Sequence, residues 1–468
     1  MTRPLKLAII GGGPSGFYLA SRLLSLFPQS HSDSLRVHIY DKLWAPHGLV
    51  RYGVAPDHPE VKNCTHKFDS AASDSRLKFF GNVKVTSNGE QGSLPLSALK
   101  KNYTHLAFAS GCTEPNMHPL LPRRQGVVIP ALDVVHWYTR HPSNPPPPPL
   151  HSATHVSIIG MGNVSLDVAR MLLSPTSLLE KYDVPSSVLD VLMSVSGPLE
   201  AAFTTKELRE MMNLPDVALE PLKEHPLPVP QTRQQSRTMD LLKKGSKAPF
   251  GSTSKTWSLD FYRSPASITS PESLSSTTTP HLLSLAHSKV DPVTKRAGIL
   301  MSESGAPVTS TQPTFFPTAP FAQWYDFDQK HIKTLPGGRV SASNLDTEEP
   351  KIYASGWAAT GAKGVLATTM MDAYSVADAI LEDWSNLTSP SSSSDASVSS
   401  SSSPWDAPPP EIRKDVTVTT YDDWLAIDAE EVRRASTDGK ERERMDWNEA
   451  KIFFEGQRYY YITIEIIE

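Results

Sequence analysis

The chain has 468 residues, 45 basic and 50 acidic, giving a formal net charge of -5, with 39% of residues apolar. A length beyond the reach of one core implies two domains, and the weak negative charge gives no global reason to expect nucleic acid or an anionic membrane as partner. The two cysteines, Cys64 and Cys112, match no zinc, iron-sulfur or dithiol spacing, so both read as buried or inert thiols and no resident metal is expected.

The N-terminus enters a strand, Leu5 to Ile10, within a few residues, and no Arg- and Ser-rich transit peptide is visible before it. Gly11-Gly12-Gly13-Pro14-Ser15-Gly16 follows and opens a helix to Leu26; Arg36 to Tyr40 then forms a second strand that ends at Asp41. In this β-α-β context Gly11 permits the tight turn and Gly13 lets backbone approach a pyrophosphate. Gly16 lets helix pack closely on strand. Asp41 stands where an acidic residue binds a ribose hydroxyl, the polar loop Gln29 to Ser34 accounting for its late position. Further strands are expected at Val83 to Val85 and His105 to Ala109, and the prolines Pro145 to Pro149 mark a linker.

Val156 to Ile159 reads as a strand leading into a second turn, Gly160-Met161-Gly162-Asn163-Val164-Ser165, and a helix to Leu173. Helices are expected over Ser186 to Met193 and Thr204 to Met212. Residues 262 to 280, rich in Ser, Thr and Pro, read as a loop. Ser385 to Pro410 reads as a disordered linker before a C-terminal segment, 411 to 468, because it offers too little apolar surface to offset chain entropy. No apolar run approaches the ~18 to 20 residues of a membrane-spanning helix.

Beyond Asp41 runs His47-Gly48-Leu49-Val50-Arg51-Tyr52-Gly53-Val54-Ala55-Pro56-Asp57-His58-Pro59-Glu60-Val61-Lys62-Asn63. It resembles the G-L-V-R-x-G-V-A-P-D-H-P-E-V-K-N signature of the adrenodoxin reductases, mitochondrial NADPH-dependent ferredoxin reductases. Later blocks continue the resemblance over most of the chain: Leu166-Asp167-Val168-Ala169-Arg170, Gly197 to Thr204 with Lys206 to Met211, Phe261 to Pro265, Ser355-Gly356-Trp357, and Asp422-Asp423-Trp424 with Asp428 to Glu431.

The resemblance implies an α/β fold of two Rossmann-like three-layer domains. An FAD domain, residues 1 to 150 and 350 to 384, would carry an inserted NADP domain, 151 to 349. FAD would contact Gly11, Gly13, Ser15, Gly16, Asp41, Leu49 and Val85, with Trp357, Gly364, Val365 and Leu366 closing over the isoalloxazine. Gly160, Gly162, Asn163 and Val164 would hold the NADP pyrophosphate, with Glu207 nearby. His58 and Asp167 are the candidate polar pair between nicotinamide and flavin. They would position rather than react, because hydride passes directly between the rings. Lys206, Arg209, Arg233 and Arg237 are candidates for docking an acidic [2Fe-2S] ferredoxin or adrenodoxin, Arg233 and Arg237 sharing a face if their segment is helical. The implied place is the mitochondrial matrix, peripheral to the inner membrane at most.

The chain also departs from that pattern. Val191 to Ser196 runs directly into Gly197-Pro198 where relatives carry a strand ending in G-R-R-G-P, whose arginines clamp the 2'-phosphate of NADPH. Losing two charge-assisted contacts costs about 1.5 to 3 kcal/mol each, enough to erase most preference for NADPH over NADH. Thr311 to Thr318 replaces an S-x-G-Y-K strand, and the basic pair of a K-R-G-P-T-G-V loop is gone from Ala358 to Val365. Skipped coding segments and a degenerated NADPH site both account for this. Two other readings stay open from the residues alone: another FAD and nicotinamide reductase, such as a glutamate-synthase-like small subunit, and an FAD-binding protein with impaired or lost NADPH-dependent activity. The lack of C-x-x-C argues against a disulfide reductase.

Overall fold

The computed structural model describes residues 4–28, 34–87, 93–115, 117, 121, 123, 128–152, 156–160, 162–192, 205–222, 233–259, 263–269, 282–290, 297–299, 324–340, 350–388, 408–412, 416–435 and 439–467. The first lobe begins β1 (Leu5–Ile10), α1 (Pro14–Leu26), β2 (Leu35–Tyr40), α2 (Leu49–Tyr52), α3 (Thr65–Ala72) and β3 (Leu77–Phe80). It continues with β4 (Lys84–Thr86), β5 (Ser93–Pro95), α4 (Leu96–Asn102) and β6 (His105–Phe108); α5 (Ala131–Tyr138) follows and packs its buried face on the helices of the second lobe.

The second lobe holds α6 (Asn163–Leu173), α7 (Thr176–Leu179), α8 (Ser186–Leu192), α9 (Thr205–Met212), β7 (Val217–Leu219), α10 (Arg233–Lys244), β8 (Lys255–Trp257), β9 (Arg263–Thr269), β10 (Leu282–Val290) and β11 (Ala297–Ile299). The chain then supplies β12 (Tyr325–Asp326), β13 (His331–Ile332), β14 (Lys351–Ala354), α11 (Trp357–Thr360), α12 (Leu366–Thr388), α13 (Tyr421–Ala435) and α14 (Trp447–Ile467).

Five parallel strands in the order β14-β6-β1-β2-β3 form the first lobe's sheet. Parallel neighbours require crossovers, which α1 and α3 provide, and a sheet covered on both faces needs strands apolar on both. That is why β1 reads LKLAII: Leu5, Leu7 and Ile9 join a core with Phe17, Phe68 and Val376, while Ala8 and Ile10 join a second with Tyr40, Leu99 and Phe108. The return of the chain as β14, with Ala354 opposite Phe108, completes the edge beside β6. α1 lies along α12, and Phe27 meets Trp384 with ring centroids 4.7 Å apart.

The C-terminal segment is not a separate appendage. Tyr421, Trp424, Ile427, Met445, Ala450 and Phe454 all belong to the first core. Each large side chain so buried contributes about 1.5 to 3 kcal/mol, so α13 and the start of α14 are fixed parts of the lobe. α12 likewise runs to Thr388, past the point where the linker was expected to begin.

The second lobe departs further from expectation. Residues 263 to 269, read as loop, form β9, because β10 supplies an antiparallel partner that local composition does not reveal. Val156 to Ile159, read as a strand, pairs with no strand among the described residues, and a strand needs a neighbour to satisfy its backbone. β7 pairs in parallel with β8, Val217 opposite Lys255. The blocks Gly197 to Thr204 and Thr311 to Thr318 lie outside the described residues, as does most of Ser385 to Pro410. Among the described residues no helix is long and apolar enough to cross a membrane.

Candidate active site between two glycine turns

At the first turn the backbone dictates glycine at two positions. Gly11 has φ +119°, and a Cβ there would lie 2.6 Å from the Ala109 carbonyl oxygen; a Cβ on Gly16 would lie 2.2 Å from the Gly11 oxygen. Gly13 differs, since a Cβ on it would meet nothing within 4 Å. That open space lies at the head of α1, whose first amides have no intrahelical acceptor and favour an anion. Next to Gly11 the Ser110 hydroxyl is buried with no partner among the described residues, and Gly48 approaches so closely that its Cβ would sit 3.1 Å from the Gly13 Cα. Leu49 is 39% and Val365 62% exposed, apolar surface a flat cofactor would cover. These residues fit a dinucleotide.

Asp41 sits at the tip of β2 as expected, but its carboxylate already serves the turn. Oδ2 accepts from the Gly12 amide at 2.6 Å and Oδ1 from the Leu43 amide at 2.8 Å. Burial raises its pKa despite those bonds. Each oxygen keeps a lone pair for a hydroxyl donor. Val85 is buried in the second core, so only its backbone is available to a ligand. Ser15 is buried and donates to Ser355 at 2.8 Å, and Ser355 with the Gly356 amide donates to Asp372. The head of α1 is thereby joined to the segment holding Trp357, Gly364, Val365 and Leu366. Trp357 is half-buried and its indole donates to the Lys363 carbonyl at 3.1 Å. Gly364 has φ +87°.

At the second turn Gly160 has φ +140°, and a Cβ on Gly162 would meet nothing within 4 Å among the described residues. Asn163 and Val164 begin α6, both exposed, Val164 at 54%. This turn too has the cradle a pyrophosphate needs.

The stretch after Gly48 meets α6 and α9 in a cluster that the sequence resolves only in part. Arg170, its side chain 3% exposed on α6, holds Asp57 (Nη2 to Oδ1 3.1 Å), Asp167 (2.7 Å) and Glu207 of α9 (2.8 Å). His58 is buried; Nδ1 lies 3.1 Å from Glu60, and Nε2 lies 3.2 Å from Glu210 and 3.5 Å from Glu207. The Nε2 contacts are ionic and lack hydrogen-bond alignment. Glu207 and Glu60 outweigh burial and Arg170, raising the His58 pKa to about 9, so it is cationic at neutral pH. Burial raises Asp167 to about 6 against the pull of Arg170. Glu207 goes the other way, to about 2, because His58 and Arg170 overcome its burial. His58, Glu207 and Glu210 place one ligand atom each within 4.8 Å of one another. The Arg170 guanidinium, 2.8 Å from Glu207 and 3.5 Å from Glu210, fills the cation's role there.

The four basic candidates lie on two packed helices, α9 and α10. Arg209, Arg233 and Arg237 are exposed, and the segment holding the last two is helical. Lys206 is 57% exposed but paired with Glu60 at 2.9 Å. Cys64 and Cys112 are free and half-buried, and burial raises the Cys112 thiol to about 12. A concavity of about 400 Å³ lined by Leu219, Leu242, Lys244 and Phe250 holds none of the residues above. Residue chemistry, and not cavity size, locates the site.

The chain is 32% identical to human mitochondrial NADPH:adrenodoxin oxidoreductase over 482 residues, covering 94% of this chain and 90% of that one. It belongs to that family. The family member of Drosophila melanogaster is 31% identical, with 95% and 92% covered. NADPH-ferredoxin reductase FprA of Mycobacterium tuberculosis is 37% identical over 231 residues, 47% of this chain and 50% of that one. The structure of FprA in complex with NADPH matches with a TM-score of 0.74 at 25% identity, covering 95% and 97% of the two chains. No family model matches the chain. Family membership accounts for the mixed α/β Rossmann-like fold. Arg170 and Asp57 lay inside the motifs that carry the resemblance, yet nothing in their spacing announces that they meet.

Proposed function

We propose that this chain is an FAD-dependent oxidoreductase that accepts hydride from NADPH and passes electrons singly to a [2Fe-2S] ferredoxin or adrenodoxin. The reading is supported above all by the contacts of Arg170 with Asp57 and of His58 with Glu207, which bring the segment after the first glycine turn against the helices after the second. The named relatives are reductases of NADPH with adrenodoxin or ferredoxin as partner.

FAD, when bound, supplies the two-electron acceptor and one-electron donor that no side chain here offers. The amides at the head of α1 and the open Gly13 would hold its pyrophosphate, and Asp41, Leu49, Val85 and the Trp357 to Leu366 segment would contact the rest of it. Gly160, Gly162, Asn163 and Val164 do the same for NADPH. His58 and Asp167 set the approach of the two rings and give up no proton, since direct hydride transfer needs neither acid nor base. Residues 1 to 150 and 350 to 384 act as the FAD unit and 151 to 349 as the NADP unit.

Arg209, Arg233 and Arg237, with Lys206 at their border, form the docking face for an acidic partner. The relatives' names place them in mitochondria, and this chain would work on the matrix side. Purified chain, NADPH and a [2Fe-2S] ferredoxin should together reduce cytochrome c, at a rate that falls as salt rises. Reduction that needs no ferredoxin, or ignores salt, would count against the partner reading.

A further inference from the structure

Arg51 and Lys62 flank the stretch that presents Asp57 and His58, and the mechanism above uses neither. Both are committed to distant segments. Arg51 makes a two-pronged pair with Glu431 of α13, Nη1 to Oε2 3.0 Å and Nη2 to Oε1 2.6 Å, beneath the Trp424 ring. Lys62 donates to both oxygens of Asp183 at 2.8 Å. Asp183 belongs to the loop between α7 and α8, in the second lobe.

Arg444, 1% exposed, joins these two pairs. Its Nε lies 3.1 Å from Asp183, and its Nη1 donates to the carbonyls of Arg51 at 2.7 Å and Thr139 at 2.6 Å. Glu431 in turn accepts from the Met445 amide at 2.8 Å. Further along, Glu443 accepts from the Ser186 amide and hydroxyl at 3.1 and 2.9 Å, and the Glu441 amide donates to the Lys181 carbonyl at 2.9 Å. Residues 439 to 446 therefore grip the first-lobe loop, the end of α5 and the second-lobe loop at once. Burial opposes ionisation of Asp183, yet Arg444 and Lys62 hold its carboxyl well below the usual range.

Buried ion pairs add little net stability compared with apolar packing, because desolvation offsets most of their attraction; what they fix is geometry. We propose that residues 439 to 446 are an interlobe strap, with Arg444 and Glu431 as positioning residues that hold both ends of the 51–62 stretch and so set His58 and Asp57 against Arg170 and Glu207. Its effect on turnover rests on the hydride-transfer reading above. Its effect on the two loops does not.

Full-length Arg444→Lys keeps the charge beside Asp183 and loses the fork that reaches two carbonyls. Arg433→Lys, on the exposed side of α13, is the control. Two readouts apply: hydrogen exchange of residues 48–64 and 181–190, and the rate of flavin reduction by saturating NADPH after rapid mixing. Arg444→Lys should retain FAD, exchange faster in both segments together, and lose about 10- to 100-fold in the saturating rate with KM little changed, as a displacement of about 1 Å at reacting groups does. Arg433→Lys should match wild type throughout. Faster exchange confined to 436–450, or wild-type exchange, overturns the strap. If NADPH fails to reduce even the wild-type flavin, the functional reading falls while the exchange data still decide the strap. Should Arg444→Lys not fold, Glu443→Gln should speed exchange of 181–190, and unchanged exchange there overturns the proposal.

Discussion

Arg170 on α6 grips the carboxylate of Asp57 with two nitrogens, Nε at 2.5 Å and Nη2 at 3.1 Å, across 113 positions of sequence. The same guanidinium holds Asp167 and Glu207, so three acidic side chains depend on one cation. Replacing Arg170 by Met leaves Asp57 and Asp167 without their bonded cation, and Glu207 with His58 alone, in a largely buried setting. A loss of about 3 to 5 kcal/mol of stability is expected, read from urea unfolding. A change below about 1 kcal/mol, the worth of an exposed pair, would show that water reaches the cluster freely.

His58 should give the protein an alkaline limb. Its folded pKa, about 9, lies above the ordinary 6.5, so the stabilisation it brings is complete below pH 6.5 and is lost as pH rises through about 9. Glu207 has the opposite sign: its contribution is present above 4.5 and fades as pH falls toward about 2. Titration of the His58 ring by NMR in wild type and in Glu207→Gln checks this. The midpoint should fall in the variant, because Glu207 is the largest cause of the rise.

The two kinds of glycine at the first turn separate a folding role from a binding role. Gly13→Ala has room in the protein itself, and Gly13 has an extended backbone with φ -85°, so the fold should be unchanged while the methyl group occupies cofactor space. Gly16→Ala meets the Gly11 carbonyl and should lose both fold and flavin. Circular dichroism and FAD retained after gel filtration distinguish the outcomes. Full FAD retention by Gly13→Ala would remove the cofactor from this turn.

The absent arginine pair before Gly197 leads to a ratio. Discrimination between NADPH and NADH, measured as kcat/KM, should be under about tenfold, since the missing contacts carried about 1.5 to 3 kcal/mol each. A ratio above a thousand would require other cations to hold the 2'-phosphate.

The first lobe was legible in the sequence wherever its determinants are local. The strand, glycine turn, helix and strand of residues 5 to 41 form where their apolar runs and glycines place them. What escaped depends on partners far along the chain. β9 reads as a Ser- and Thr-rich loop until β10 pairs with it. Val156 to Ile159 reads as a strand but pairs with none among the described residues. Asp41 reads as a ribose ligand, and nothing in its spacing shows that the Gly12 amide also reaches it. The ion pairs of Arg51 with Glu431 and Arg444 with Asp183 join positions 380 and 261 apart, and no periodicity encodes them.

The measurement closest to the central claim is anaerobic rapid mixing of the FAD-loaded chain with NADPH, following the yellow flavin absorbance. If the two glycine turns serve one redox centre, the colour should bleach within seconds, at a rate inside the ordinary enzymatic range of roughly 1 to 10³ per second. A protein that binds FAD, stays yellow with excess NADPH and NADH, and bleaches only with a chemical reductant would contradict the account.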